Sequence, residues 1–388
     1  MSERLHHLDA LRALAMFLIL PVHAIALLGL QRGSQTDVEK SLAWLIHAFR
    51  LPLFFLVAGF FAALLLRTRG TSAVLRNRLV RIGIPLAVVV LCAGPLLVFL
   101  LNQVAAGDYR PGLSGVAVLT QLRPSYGWFL WYLLLLYAIA LSVRTVLARF
   151  PSFTESIARR GRRLVAHWAA PLALALPCAA CLYLQSTWTA ETPSDGFTPE
   201  PTLLGYYALF FACGWLLFAA DGLREAIELR PSRYAVFAAL TLPPALVLYL
   251  KQDSALVAGS ETLHLLALLL LAAATWSLVF GLLGLSRRLA SGASARSRYW
   301  ADASYWVYLS HFPVMAAIAI ALLDVAMPGP LRAILLIVGT LALIYPAYGA
   351  FVRHGAIGRV LHGHRPRRQA KSPRRGLTRP TKAAEHRA

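Results

Sequence analysis

Apolar positions in this chain do not alternate with polar ones at helical or strand period. They run on, in stretches as long as a bilayer is thick. A hydrocarbon core needs about 20 mostly apolar residues per crossing helix, and ten segments meet that length: roughly 11–30, 43–66, 83–102, 128–147, 168–187, 203–220, 234–250, 262–285, 302–323 and 331–352. Between them the sequence turns polar, and mostly basic. The pattern predicts an all-α polytopic membrane protein with about ten transmembrane helices. The first run carries Arg12 and His23 and has no clear cleavage site, so it reads as an uncleaved helix rather than a signal peptide.

Composition sharpens this reading. Hydrophobic residues make up 58% of the 388 and charged ones 14%, against about 45–50% and 25% in soluble domains. A water-soluble globule is excluded. The 38 Lys+Arg against 17 Asp+Glu, a formal charge of +21, would point to nucleic acid in a soluble protein. Here most of these cations fall in alternate inter-span segments: 67–81, 144–163, 224–233, 287–298 and 353–388. Basic residues gather on the cytoplasmic side of membrane proteins, so the charge is a topology signal. It puts both termini in the cytoplasm, with membrane lipids and no nucleic acid as partners. The unit reads as residues 1–355, followed by a basic tail, 356–388, that is Pro-rich from about Arg365 and expected to be disordered. No duplicated halves are visible, which weakens a carrier built from repeats. Cys92, Cys178, Cys181 and Cys213 lie inside apolar runs and read as packed thiols rather than a redox pair.

Ionisable groups inside spans are costly and need a reason. In the first helix Asp9, Arg12 and His23 share roughly a 60° sector, with Arg12 near the inner edge and His23 about 16 Å further along. A surface ion pair and a structural histidine are the bland alternatives. In the second span His47 and Arg50 sit three residues apart, at a depth similar to His23. They either line one outward cavity with it or are interfacial groups that snorkel. Arg67, Arg69, Arg76, Arg78 and Arg81 follow with no acidic residue from 67 to 82. Clustered guanidiniums suit a phosphate-bearing ligand through bidentate hydrogen bonds, while topology alone also calls for basic residues here. Ser304, Tyr308 and His311 share a face of the ninth span, and Pro313 frees a carbonyl one turn earlier. Trp128 to Tyr132 opens the fourth span, where an aromatic belt is the plain reading. No nucleophile-elbow serine and no metal-ligand spacing appears.

Taken together, Leu8-Asp9-Ala10-Leu11-Arg12 with His23 after ten residues, Arg78-Leu-Val-Arg81, Trp128-Phe129-Leu130-Trp131 and Ser304 through His311 resemble the membrane-bound acyltransferase-3 family. Ile46-His47-Ala48-Phe49-Arg50, the run Phe54 to Phe61, and Arg81-Ile-Gly-Ile-Pro85 look most like its branch that modifies periplasmic glucans, including a succinyltransferase. The resemblance implies a cell inner-membrane enzyme without a permanently bound cofactor. It implies transfer of an acyl group, acetyl or succinyl, from cytoplasmic acyl-CoA to a hydroxyl of an extracytoplasmic carbohydrate. His23 is then the base, with Arg12 and Asp9 organising the inner end of the channel. Arg76, Arg78 and Arg81 hold the donor's phosphates. His47, Arg50, Tyr308, His311 and Trp128 orient acceptor or carbonyl. A transient acyl-enzyme remains an alternative to direct transfer. The acceptor can equally be a lipid, peptidoglycan or a small molecule, and a non-catalytic carrier is the rival class. Relatives commonly carry a His just before the fourth span's aromatic run; this chain has Ser125, Tyr126 and Gly127 there. The expected architecture is an arginine-lined mouth joined to His23 by a polar passage.

Overall fold

The computed structural model describes residues 6–107, 123–190, 192–193, 196–289 and 295–362, with the backbone alone at 295–298 and 362. All regular elements among them are helical. In chain order they are α1 (His6–Phe17), α2 (Ile19–Arg32), α3 (Asp37–Arg78), α4 (Ile84–Val88), α5 (Gly94–Ala106), α6 (Trp128–Leu147), α7 (Pro151–Ala166), α8 (Ala170–Leu184), α9 (Pro201–Ala219), α10 (Leu223–Glu228), α11 (Pro231–Leu250), α12 (Glu261–Leu289), α13 (Ala295–Ala321), α14 (Gly329–Ala347) and α15 (Ala356–His362). Every predicted apolar run lies on a helix.

Eight of the described helices are long and apolar enough to cross a bilayer, and counting the bent pair α7–α8 as one span makes nine. One of the eight is the 70-residue run Asp37–Ala106. At 1.5 Å per residue it measures on the order of 100 Å, against about 30 Å of hydrocarbon. It breaks at Gly70, whose φ of 76° and ψ of 176° are non-helical. Its far arm ends in α5, which packs against α2. The run is long enough to cross, turn and return; counted as two, with α7–α8 as one, it brings the candidate crossings among the described residues to ten. The described ends meet on the arginine-rich side, where Leu361 lines the same cavity as Asp9 and Arg12. Residues 356–362, assigned to the tail from sequence, form α15 with Leu361 buried; beyond 362 the tail lies outside the described residues.

Prolines shape the third and ninth crossings. Two π-helical turns, Leu79–Gly83 and Val89–Ala93, flank α4, a distortion common at functional sites. Pro85 has no N–H for the Arg81 carbonyl, which accepts from the Tyr305 hydroxyl instead (2.7 Å). Likewise Pro313 leaves the Leu309 carbonyl to the Tyr126 hydroxyl (2.6 Å), and Tyr308 donates back to the Tyr126 carbonyl (2.9 Å). These bonds lock α13 to the third and fourth crossings. The thiols are free cysteines: Cys178 and Cys213 are buried, Cys178 accepting from the Trp276 indole (3.2 Å), whereas Cys92 is exposed and departs from the packed reading.

Helices α3 and α9 approach each other closely at two glycines. A Cβ on Gly59 would stand 2.0 Å from the Phe211 carbonyl oxygen, and one on Gly214 would stand 1.8 Å from that of Leu56. Small residues permit such backbone contact in membrane bundles. Gly59→Ala and Gly214→Ala should each cost about 3 kcal/mol or more through overpacking, lowering the unfolding temperature in detergent. Gly205→Ala on the same α9, whose Cβ would make an ordinary 3.6 Å contact with Cys181, should leave it nearly unchanged.

Candidate functional site

A cavity of about 570 Å³ opens at the arginine-rich end. Its charged lining is Arg12, Arg69, Arg78 and Arg81 with Asp9 and Asp302, and its deeper wall is Met16, Phe54, Phe129, Leu130, Ser304 and Tyr305. Arg12 pairs with Asp9 (3.2 Å) across one helical turn. The Arg78 guanidinium lies over the Tyr137 ring (4.5 Å), and its Nε is buried without a partner. Four cations converge here and outnumber the carboxylates, so the cavity suits an anionic ligand with several oxygens.

The placement departs from the sequence reading at one arginine. Arg76 is exposed and off the cavity, because two residues along a helix turn it about 160° away from Arg78. Arg69, not singled out as a donor contact, takes a place in the lining beside the Gly70 break.

A second polar cluster lies deeper, toward the opposite end. His23 and His311 meet edge to face with ring centroids 5.0 Å apart, and the Phe312 ring covers His23 at 3.8 Å. His311 is fully buried. Its Nδ1–H donates to the carbonyls of Tyr308 (2.7 Å) and Val307 (3.0 Å), which leaves Nε2 as the ring's other polar atom. That Nε2 has no partner, nor has the buried Nδ1 of His23. His47 and Arg50 are close enough to act electrostatically on His23, as the sequence reading requires. Arg50 is buried, and its Nε is unpartnered. Beside it lies Tyr207, fully buried with its hydroxyl unpartnered, and Trp128 packs on the Tyr207 ring at 5.9 Å. Tyr207 drew no attention in the sequence because it sits in an unbroken apolar run. A buried polar atom without a partner is costly, and four such atoms gathered in one cluster mark a place built to receive a polar ligand. Among the described residues, no three His, Cys, Asp or Glu side chains form a metal-binding group.

The cavity and the histidine cluster are neighbours, but they are not continuous. His23 does not line the cavity. Phe129 does, and its ring packs on Tyr308 (6.0 Å), which is 6.2 Å from His311. One layer of aromatic rings thus fills the place where an open polar passage was expected. Tyr126, just before the aromatic run of the fourth span, faces the His311 ring edge-on at 6.2 Å and braces α13.

One charged group was missed in the sequence. Glu228 on α10 is 1% exposed. Its carboxylate accepts from His7 Nε2 (3.0 Å) and Arg287 (3.1 Å), with Arg224 at 3.7 Å. His7 leaves α1 about 140° around from Arg12, so this network pins the helix on the face opposite its site. The available signal was a carboxylate, Glu228, one helical turn after Arg224 and closely followed by Arg230 and Arg233 in a basic inter-span segment. Removing one member of a buried ionic network strands the others. Glu228→Ala should therefore cost about 3–5 kcal/mol, read as a lowered unfolding temperature in detergent; an unchanged temperature would mean that the network bears no load.

Comparison with known proteins fits these residues to a family. The family model described as "Acyltransferase domain", acyltransferase-3, matches residues 5–349. The protein named "Glucans biosynthesis protein C" from Escherichia coli O1:K1 / APEC is 27% identical over 329 residues, which is 81% of this chain and 82% of that protein. Its namesakes from Shigella dysenteriae serotype 1 (strain Sd197) and Escherichia coli strain K12 match to the same extent. No solved structure matches. The chain belongs to the acyltransferase-3 family and is a multi-pass membrane acyltransferase.

Proposed function

We propose that this protein is an O-acyltransferase that takes an acyl group, acetyl or succinyl, from cytoplasmic acyl-CoA. It passes the group across the cell inner membrane to a hydroxyl of a periplasmic or envelope carbohydrate such as a glucan. The observation that carries this reading lies on the first crossing. Arg12 lines a cation-rich cavity at one end of it, and some 16 Å along the axis His23 meets a second imidazole. The printed name of the relatives, a glucan biosynthesis protein, supports a glucan as acceptor.

Arg12, Arg69, Arg78 and Arg81 would take the phosphates of acyl-CoA, because guanidinium forms charge-assisted, often bidentate bonds to phosphate oxygens. The pantetheine arm would enter along Met16, Phe54 and Leu130 and bring the thioester against Phe129. For the acyl carbon to reach the histidines, the Phe129 ring must turn aside. His23 then accepts the proton of the acceptor hydroxyl as its oxygen attacks the thioester carbon. When the tetrahedral intermediate collapses, the C–S bond breaks and the departing thiolate of CoA takes that proton back from the imidazolium. General-base help of this kind contributes about 10²–10⁴-fold. His311, with Nε2 free, positions the hydroxyl, and Arg50 meets the negative charge that develops on the carbonyl oxygen. His47, Tyr308 and Trp128 complete the acceptor side.

Two sets of variants test this in proteoliposomes, with labelled acyl-CoA and an envelope glucan fraction. His23→Gln should lower turnover at least about 10²-fold with little change in KM for acyl-CoA. Arg78→Ala with Arg81→Ala should raise that KM at least about tenfold while acceptor binding is kept. Near-normal turnover in His23→Gln removes the base assignment, and loss of acceptor binding alone removes the donor assignment. Label that crosses without becoming covalently attached to glucan would favour a carrier, and label on lipid would change the acceptor. Phe129→Trp, which overfills the ring layer, should cut turnover while donor binding stays within about twofold; unchanged turnover would show that the reacting groups meet by another route.

A further inference from the structure

Helix α7 does not fit the bundle plan. It joins α6 to α8 on the arginine-rich side, and it is bent 113° from α8. A helix turned so far from a crossing helix lies along the membrane surface. Its residues divide into three faces at 100° per residue. Thr154, Gly161 and Val165 form the packing face: Val165 is buried, Gly161 faces Leu216, and α7 touches α6, α8, α9 and α10 there. Phe153, Ile157 and Leu164 fall within about 40° of one another and stay 59%, 46% and 42% exposed. Phe150 and Trp168, exposed just before and after the helix, extend this apolar stripe. The remaining sector holds Arg159, Arg162 and Arg163 with Glu155, which pairs with Arg159 at 3.5 Å, and Arg160 borders the stripe.

An exposed apolar stripe beside a basic face is the signature of an interfacial helix. The crossings that α7 connects show which surface it meets. It sits at the boundary where α6 and α8 leave the bilayer, so its stripe faces acyl chains and its guanidiniums stand at headgroup depth. Four arginines against one glutamate make the charge complement an anionic leaflet rather than a zwitterionic one. We propose that α7 is a docking surface for anionic phospholipid of the leaflet on the arginine-rich side, with Phe153, Ile157 and Leu164 embedded and Arg159, Arg160, Arg162 and Arg163 on lipid phosphates. The surface is separate from the cavity and does not depend on the acyl-transfer reading.

Hydrogen exchange of the full-length protein, followed by mass spectrometry, tests it in bilayers of phosphatidylcholine alone and with about three in ten lipids replaced by phosphatidylglycerol. One arginine near an anionic surface is worth about fivefold in partition. Residues 151–166 should therefore exchange at least about fivefold more slowly in the anionic bilayer, while α12 exchanges equally in both. A variant with all four arginines changed to Gln should lose the difference. Phe153→Ser with Ile157→Ser should speed exchange in both bilayers. Equal exchange of the native chain in the two bilayers would overturn the proposal. So would a lipid difference that survives the four-Gln change, or protection of 151–166 in detergent as strong as in anionic lipid, which would assign it to protein packing.

Discussion

A proline in a membrane-spanning helix leaves one carbonyl oxygen without its N–H donor, and no water is at hand to satisfy it. Two such carbonyls, on Arg81 and Leu309, set the geometry of this bundle. Each is taken by a tyrosine hydroxyl from another crossing: Tyr305 reaches Arg81 and Tyr126 reaches Leu309. These bonds draw α13 against the third and fourth crossings and hold it in one rotation. Because Tyr305, Tyr308 and His311 ride on that helix, the same bonds decide that Tyr305 faces the cavity, that Tyr308 stands in the ring layer and that His311 meets His23.

Charge is handled differently on the two sides of that layer. At the arginine-rich end carboxylates accompany the cations: Asp9 pairs with Arg12, and Glu228 gathers His7, Arg224 and Arg287. Deeper in, Arg50 and the histidines are ringed by tyrosines and aromatic side chains, and several of their polar atoms have no partner.

Much of this was legible in the sequence, for reasons that can be named. Bilayer thickness imposes run length, so the crossings could be counted. Helical period imposes faces, so Asp9 with Arg12, and His47 with Arg50, could be grouped before any contact was known. Contacts between distant elements leave no such trace. That Tyr207 lies beside Arg50, that Glu228 gathers three helices, and that Phe129 and Tyr308 fill the expected passage all depend on packing between crossings far apart in the chain. Arg76 shows the limit within a helix: its membership of a basic cluster was visible, but the turn that points it away from Arg78 was not weighed.

The layer made by Phe129 and Tyr308 also has an electrical side. Water and ions can enter the cavity below it, so the transmembrane voltage falls across the rings together with the buried histidine cluster beyond them. That voltage is worth about 2.3 kcal/mol per elementary charge for each 100 mV. On the proposed reading, a neutral acetyl thioester would traverse the rings without feeling it. A succinyl group carries its own negative charge and would be driven outward by an inside-negative potential, so the energised state of the cell would enter the choice of donor.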